Sequence, residues 1–372
     1  VGPSVRAATF ESGGMMYKIW DANFSIELLY KKRMEATKYL SIINYSEWEK
    51  LCKSYSETHA CNAIGKDGIF YFRLNDNSDK PLQSLDKILF AKRPDVKLII
   101  LPFQDPEKSN KYHAYTKQDF ETLSQLTNVR KLGLSIAAQQ SFTEFSRIEL
   151  VTELYIYVDV RSDLRLVEKF PNINYLHLQG KFTEIVSLCG LKNLKGLSIS
   201  DFQEIDFSVL HGISLKVLVV SDCQASENFP VLLSNGVEYL QLSGIKKVQN
   251  IDFISNATGL KKLYLDEFSL TALPDFSKNK KLRVLQINAM HKLNEIETLI
   301  SSNIEYLFVL LSADKVPAKV FSEVLAKIKT LKKAQMRLMD RHDKRYKIIK
   351  KQLENAGKSG LLAEDINFFE TS

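Results

Sequence analysis

Apolar residues recur along most of this chain in one spacing: an apolar position, two variable ones, an apolar position, one variable one, an apolar position. The clearest copy is Leu260-Lys-Lys-Leu263-Tyr-Leu265. The same spacing opens at Val129, Val151, Ile173, Leu194, Leu215, Val237, Leu260, Leu282 and Ile304, with successive starts 22, 22, 21, 21, 22, 23, 22 and 22 residues apart. Alternating apolar positions over five or six residues place alternate side chains on one face of a strand. Each copy therefore predicts one strand with its Leu, Ile and Val side chains turned inward. The stretches between copies, such as residues 229–233 and 295–300, are too short for long helices, so they predict an outer wall of turns and one- or two-turn helices.

A 20–29-residue period with this consensus resembles the leucine-rich-repeat family, of the cytosolic short-repeat kind. The resemblance covers residues 129–338 and is specific for architecture. It implies an α/β fold: a right-handed solenoid with a parallel sheet on its concave face and α-helical caps. The family's usual Asn at the ninth position of the repeat is replaced here by Phe202, Cys223, Ile245, Phe268 and Met290. That departure exchanges a polar ladder for apolar packing and gives Cys223 a core role.

The pattern divides the chain into five parts. Residues 1–15 carry no helix or strand pattern and read as an extension outside the folded unit. Residues 16–128 read as an N-terminal cap with irregular repeats, whose echoes of the strand spacing lie at 69–74 and 96–101. Ser46 and Glu49 have capping-box spacing and predict a helix over 47–56 that covers the end of the core. Leu82, Leu85, Ile88 and Leu89 predict a helix behind the first unit, and Thr116 with Asp119 caps a short helix leading into the regular repeats of 129–310. Residues 311–358 hold a last strand around Leu331, Ala334 and Met336 and two helices, over 316–329 and 341–356. Residues 359–372 are a tail containing Phe368 and Phe369. The alternative for the first 128 residues is a separate domain with its own function.

Charge changes this picture at one place only. The chain carries a formal +7, but residues 327–351 hold eleven Lys and Arg against Asp340 and Asp343. Taking that local +9 away leaves the remainder at −2, so the basicity belongs to the C-terminal cap and not to the whole surface. The four cysteines are too sparse for a disulfide-dependent domain. No run of 18 apolar residues occurs, and no basic start followed by an apolar stretch opens the chain. A cytoplasmic home and no membrane attachment are expected.

Catalytic chemistry has little to build on. The six histidines are scattered, Cys52, His59 and Cys61 match no zinc spacing, and Gly13-Gly14 and Gly357-Lys-Ser-Gly360 lack the form of a phosphate loop. Some leucine-rich-repeat effectors carry a ubiquitin-ligase cysteine beyond their repeats, but no cysteine follows Cys223 here. The expectation is a protein without enzymatic activity, cofactor or metal.

The remaining signal is in the variable strand positions three, five and seven, which alternation turns toward the concave surface. Tyrosine fills six of these thirty slots, against 15 of 372 residues overall. A tyrosine offers large contact area while freezing only two torsions, which suits a binding face. The predicted partner-binding residues are Tyr155, Tyr157, Tyr175, His177, Tyr239, Gln241, Tyr264, Asp266, Gln286, Tyr306 and Phe308. If they are exposed, Tyr155→Ala, Tyr175→Ala and Tyr239→Ala should weaken binding and leave the melting temperature nearly unchanged. Apart from Lys333 and Arg337 the charges among these slots balance, and aromatic residues do not interleave with basic ones, so nucleic acid is not expected. The resemblance implies a protein partner, sequestered or neutralised as by an immunity protein or effector, with the chain monomeric by itself. The alternative is an adaptor joining two proteins through the repeats and one of the caps.

Overall fold

The computed structural model describes residues 40–75, 78–104, 112–202, 206–224, 236–245, 248, 250–338 and 344–363. Strands β1 (Leu40–Asn44), β2 (Ile64–Arg73), β3 (Lys97–Leu101), β4 (Lys131–Ile136) and β5 (Glu153–Val158) begin one sheet. A two-residue β6 (Ser162–Asp163) lies off it and pairs with β8 (Phe182–Thr183), while β7 (Tyr175–Gln179) continues the sheet. Strands β9 (Gly196–Ser200), β10 (Val217–Ser221), β11 (Tyr239–Ser243), β12 (Lys262–Asp266), β13 (Val284–Asn288), β14 (Tyr306–Leu310) and β15 (Lys333–Arg337) complete it. All thirteen strands pair in chain order and in parallel. Each turn of chain therefore returns beside the last, through the right-handed crossovers that parallel strands adopt. The fold is a leucine-rich-repeat solenoid.

The register follows the sequence period. Leu176, Leu197, Leu218, Leu240, Leu263, Leu285 and Leu307 are direct partners across successive strands. A slip of one residue would turn that whole row to the other face, so burial of the row fixes the pairing. All seven lie in one continuous core. The ninth-position residues Phe202, Cys223, Ile245, Phe268 and Met290 are buried in it too. Burial pushes the Cys223 thiol up to about 12, so it remains a neutral, small apolar group.

After each strand the chain must turn sharply toward the outer wall. The eighth position does this with a left-handed residue: Gly180, Asp201, Asp222, Gly244, Glu267, Ala289 and Leu311 all have positive φ. At Gly180 the requirement is also steric, because a Cβ there would run into the Val158 carbonyl. The outer wall is built from short 3-10 helices at Leu164–Lys169, Ile185–Gly190, Phe207–Leu210, Asp252–Asn256 and Glu297–Ser301. Residues 229–233 lie outside the described residues.

The N-terminal end departs from the sequence reading in two ways. The first echo of the strand spacing in the sequence is at 69–74, yet a strand precedes it: β1, paired in parallel with β2. The helix behind it, α1 (Tyr45–Ser54), starts earlier than expected. Its capping box is formed by Asn44 and Glu47: Glu47 N donates to Asn44 Oδ1 at 3.0 Å and Asn44 N donates to Glu47 Oε2 at 3.0 Å. Ser46 therefore lies inside the first turn. Asn44 holds the cap because it is also the last residue of β1, where the chain is still extended. Trp48 points down onto Phe70, with ring centroids 6.1 Å apart. Helices α2 (Glu57–Ala63) and α3 (Asp79–Leu85, continued by a π turn over Asp86–Phe90) form the outer wall. Helix α4 (Lys117–Ser124) carries the expected Thr116–Asp119 capping box.

Buried and half-buried polar groups tie the irregular segments to their neighbours. The Asp86 carboxylate accepts from Thr127 N at 2.9 Å, Asn128 N at 2.8 Å and Val129 N at 3.2 Å, at the point where the first regular repeat begins. Arg93 spreads its guanidinium over the carbonyls of Cys61, Ile64 and Gly65. Arg345 does the same at the other end, donating to the carbonyls of Ala313, Asp314 and Val316. Backbone carbonyls of irregular loops lack ladder partners, and one planar five-donor group satisfies several at once.

At the C-terminal end α5 (Ala318–Lys327) follows Pro317, and α6 (Lys344–Asn355) packs beside it with Ile349 and Leu353 buried. The expected first residues of the second helix, 341–343, lie outside the described residues. Ala334 N donates to Leu361 O at 2.7 Å and Ala363 N to Ala334 O at 3.0 Å, so a short strip of chain covers part of the last strand's edge. Phe368 and Phe369 also lie outside the described residues, as do residues 1–39.

Candidate functional site: the concave face of the sheet

The rows opposite the leucines run unbroken across the sheet. In the fifth-position row Tyr155 pairs with His177, His177 with Ser198, Ser198 with Val219 and Val219 with Gln241. Gln241 then pairs with Tyr264, Tyr264 with Gln286 and Gln286 with Phe308. The third-position row beside it carries Tyr175, Tyr239 and Tyr306, and the seventh carries Tyr157 and Asp266. The parallel register thus gathers all eleven predicted residues onto one face, opposite the main core.

Exposure differs from the sequence expectation. Tyr157, Tyr264, Asp266, Gln286 and Tyr306 are half-buried. Tyr155, Tyr175 and Tyr239, expected in solvent, are only 2%, 5% and 4% exposed, and His177, Gln241 and Phe308 are buried as well. Strands stand about 4.8 Å apart, so large side chains on neighbouring strands lie against each other. The Tyr155 and Tyr175 rings are 5.3 Å apart, Tyr155 and His177 6.1 Å, and Tyr157 and His177 5.5 Å. Hydroxyls find partners along the same strand: Tyr155 OH donates to Glu153 Oε2 at 2.9 Å and Tyr239 OH to Gln241 Oε1 at 2.9 Å.

A charged cluster at the N-terminal side of this face was not foreseen. Lys131 Nζ lies 3.2 Å from Asp67 Oδ1 and 3.5 Å from Glu153 Oε1. Lys97 Nζ stands 3.4 Å from the centroid of the Tyr155 ring, a cation over an aromatic face. Burial pushes the Glu153 carboxyl above its ordinary range although Lys131 and the Tyr155 hydroxyl pull the other way. Burial would lower Lys131, and the Glu153 and Asp67 carboxylates more than reverse it. The signal for the cluster was in the sequence: Lys97, Lys131 and Glu153 occupy equivalent positions on three neighbouring strands.

His177 and Ser198 resemble half of a nucleophilic dyad, with Nδ1 and Oγ 2.9 Å apart. Burial, and after it the Lys97 charge, lowers the imidazole pKa to about 3. A general base is effective when its pKa lies near the working pH. An imidazole this weak leaves the Ser198 hydroxyl protonated, so the pair is a structural hydrogen bond. Among the described residues no three His, Cys, Asp or Glu side chains are grouped to hold a metal ion, and no helix is long and apolar enough to cross a membrane.

No protein-family model and no curated protein matches the chain. Among solved structures it is similar to internalin C2 from Listeria monocytogenes, at 17% identity over 55% of this chain and 88% of that one, with a TM-score of 0.34. It is also similar to a second internalin of that organism, inlF, at 15% identity over 80% and 78% of the two chains, with a TM-score of 0.36. The assignment of the fold rests on the sheet described above.

Proposed function

We propose that this chain is a non-enzymatic, cytoplasmic recognition module that holds one protein partner along its concave sheet, sequestering or neutralising it. The observation that carries this reading is the group of half-buried side chains Tyr264, Asp266, Gln286 and Tyr306, brought together on β12, β13 and β14 of the concave face. Thirteen strands at about 4.8 Å spacing and about 17 Å length give a planar area of roughly 1,000 Å². A standard protein interface covers about 800 Å² per partner, and the sheet's footprint is of that order. The half-buried Tyr264, Gln286 and Tyr306 are adjacent and offer phenol and amide groups of the kind that anchor interfaces.

The second reading, an adaptor, is favoured by one feature: Lys344, Lys347, Lys350 and Lys351 of α6 are exposed around an exposed Ile348. Capture from native extract separates the two. The wild-type chain, Gln286→Arg and the double variant Lys347→Glu, Lys351→Glu are compared by stoichiometric co-purification and mass spectrometry. One partner lost only with Gln286→Arg supports the concave site. Two partners, one lost with each variant, support the adaptor. A partner kept by Gln286→Arg rejects the concave reading.

A further inference from the structure

The residues that stand just before the strands form a ladder of their own along one edge of the sheet. Lys216 N donates to Lys195 O at 2.7 Å, Glu238 N to Lys216 O at 2.8 Å and Lys261 N to Glu238 O at 2.7 Å. Arg283, Glu305 and Lys332 continue it in the same way. The backbone register therefore sets their side chains one strand step apart. Lys195, Lys216, Lys261, Arg283 and Lys332 are exposed. Each acid is held between two bases: Glu238 by Lys216 at 3.0 Å and Lys261 at 2.7 Å, Glu305 by Arg283 at 3.0 Å and Lys332 at 2.6 Å. Both trios keep a net positive charge. The same places before β4, β5 and β7 hold Arg130, Thr152 and Asn174, so the basic run begins only at β9.

The turns leading into these strands add to the run. Lys192, Lys280, Lys281 and Lys329 are exposed, and among the described residues none of them has a carboxylate within ion-pair distance. Lys192 and Lys195 also line an open groove of about 460 Å³ together with Asn172, Asn174, Asn193 and Ser214. Ammonium groups only donate and carboxylates only accept, so a groove with two lysines and three amides suits a carboxylate.

We propose that this edge docks an acidic, extended segment of the protein partner, running from the groove at β9 to the lysines before β15. The edge is continuous with the candidate concave contacts, since Lys261, Arg283 and Glu305 stand directly before the strands that carry Tyr264, Gln286 and Tyr306. Six strand steps from β9 to β15 make about 29 Å, the length of about nine extended residues. A nucleic acid is the poorer fit, because a phosphate chain carries charge at every unit and would set some of it against Glu238 and Glu305. A peptide can place uncharged residues there. Charges this exposed mainly steer and orient the encounter, and salt screens them.

The proposal rests on the concave reading for a protein as partner, but its test needs no partner in hand. The probe is a fluorescein-labelled decapeptide with Ser at its fourth and eighth positions, spaced to face Glu238 and Glu305, and Glu elsewhere. Its controls are the same peptide with Gln for Glu and a thymidine oligonucleotide of equal charge. Anisotropy is read at about 0.15 M salt, where the screening length is about 8 Å. The acidic peptide should bind, the Gln peptide should not, and the oligonucleotide should bind more weakly. Lys280→Glu with Lys281→Glu should weaken the acidic peptide at least about fivefold, and Lys347→Glu with Lys351→Glu on α6 should leave it unchanged. If the first pair does not fold, Lys192→Glu with Lys195→Glu takes its place. No binding of the acidic peptide, equal loss with the α6 pair, or preference for the oligonucleotide overturns the proposal. Tyr264→Ala, which tests the concave reading, should leave peptide binding at the edge intact, so the two ideas fail separately.

Discussion

His177 should make the stability of this protein fall between neutral and mildly acidic pH. The imidazole is buried in the concave row, held at Nδ1 by Ser198 and bordered by the rings of Tyr155 and Tyr157. Its folded pKa is lowered from 6.5 to about 3, first by burial and then by the Lys97 charge. The folded chain therefore refuses a proton that the unfolded chain accepts below pH 6.5. The stabilisation from keeping His177 neutral is complete above that pH and is lost as pH falls toward 3. Each pH unit in the window is worth about 1.4 kcal/mol, so at pH 5 the loss is about 2 kcal/mol. The assay is urea denaturation at pH 7.5 and pH 5 for wild type and His177→Gln. Other groups near the site do not mimic this slope: Tyr155 is pushed further up from 10, and Glu153, raised by burial, contributes with the opposite sign as its folded form takes up a proton more readily. The wild type should lose about 2 kcal/mol more than the variant between the two pH values. Parallel pH dependences would show that water reaches the ring and that its burial has been overstated.

Three further outcomes follow from the packing. Leu240→Ala removes a fully buried core side chain and should cost about 2–5 kcal/mol, read as a lowered denaturation midpoint. Tyr239→Ala, one residue earlier and on the other face, should also lower the midpoint, by about 2 kcal/mol or more, because its ring is 4% exposed and its hydroxyl bonded; an unchanged midpoint would restore the exposed tyrosine wall that the sequence pattern implies. Leu311→Gly should raise stability by about 1 kcal/mol despite deleting a side chain, since Leu311 is exposed and sits at φ +49° where a Cβ is unfavourable; destabilisation would show that its side chain is held by contacts.

The solenoid is legible in the sequence because its period is enforced once per turn by the same physical need, a leucine row turned indoors. The positions of Leu218, Leu240 and Leu263 follow from alternation alone, as does the gathering of Tyr155, Gln241 and Tyr264 onto the opposite face. How deeply that face is buried does not follow, because alternation gives the direction of a side chain and not what lies beyond it. Tyr155 and Tyr239 show the difference. The N-terminal cap was harder to read for another reason. Asn44 is at once the end of a strand and the cap of a helix, so neither the strand spacing nor the Ser46–Glu49 box singled it out. The links made by Asp86, Arg93 and Arg345 join residues tens of positions apart, and a one-dimensional pattern carries no signal for them.

The central claim is that recognition takes place on the concave sheet, at the side chains left within reach of a partner. Its most direct test is the affinity of the captured partner, measured by titration calorimetry, for the wild-type chain, Tyr264→Ala and Tyr306→Ala. Interface anchors of this type lose more than about 1 kcal/mol on truncation, roughly fivefold or more in affinity. Weakening of at least that size in both variants, with the partner still bound tightly by Lys347→Glu, is the expected result. Unchanged affinity in both tyrosine variants would contradict the account.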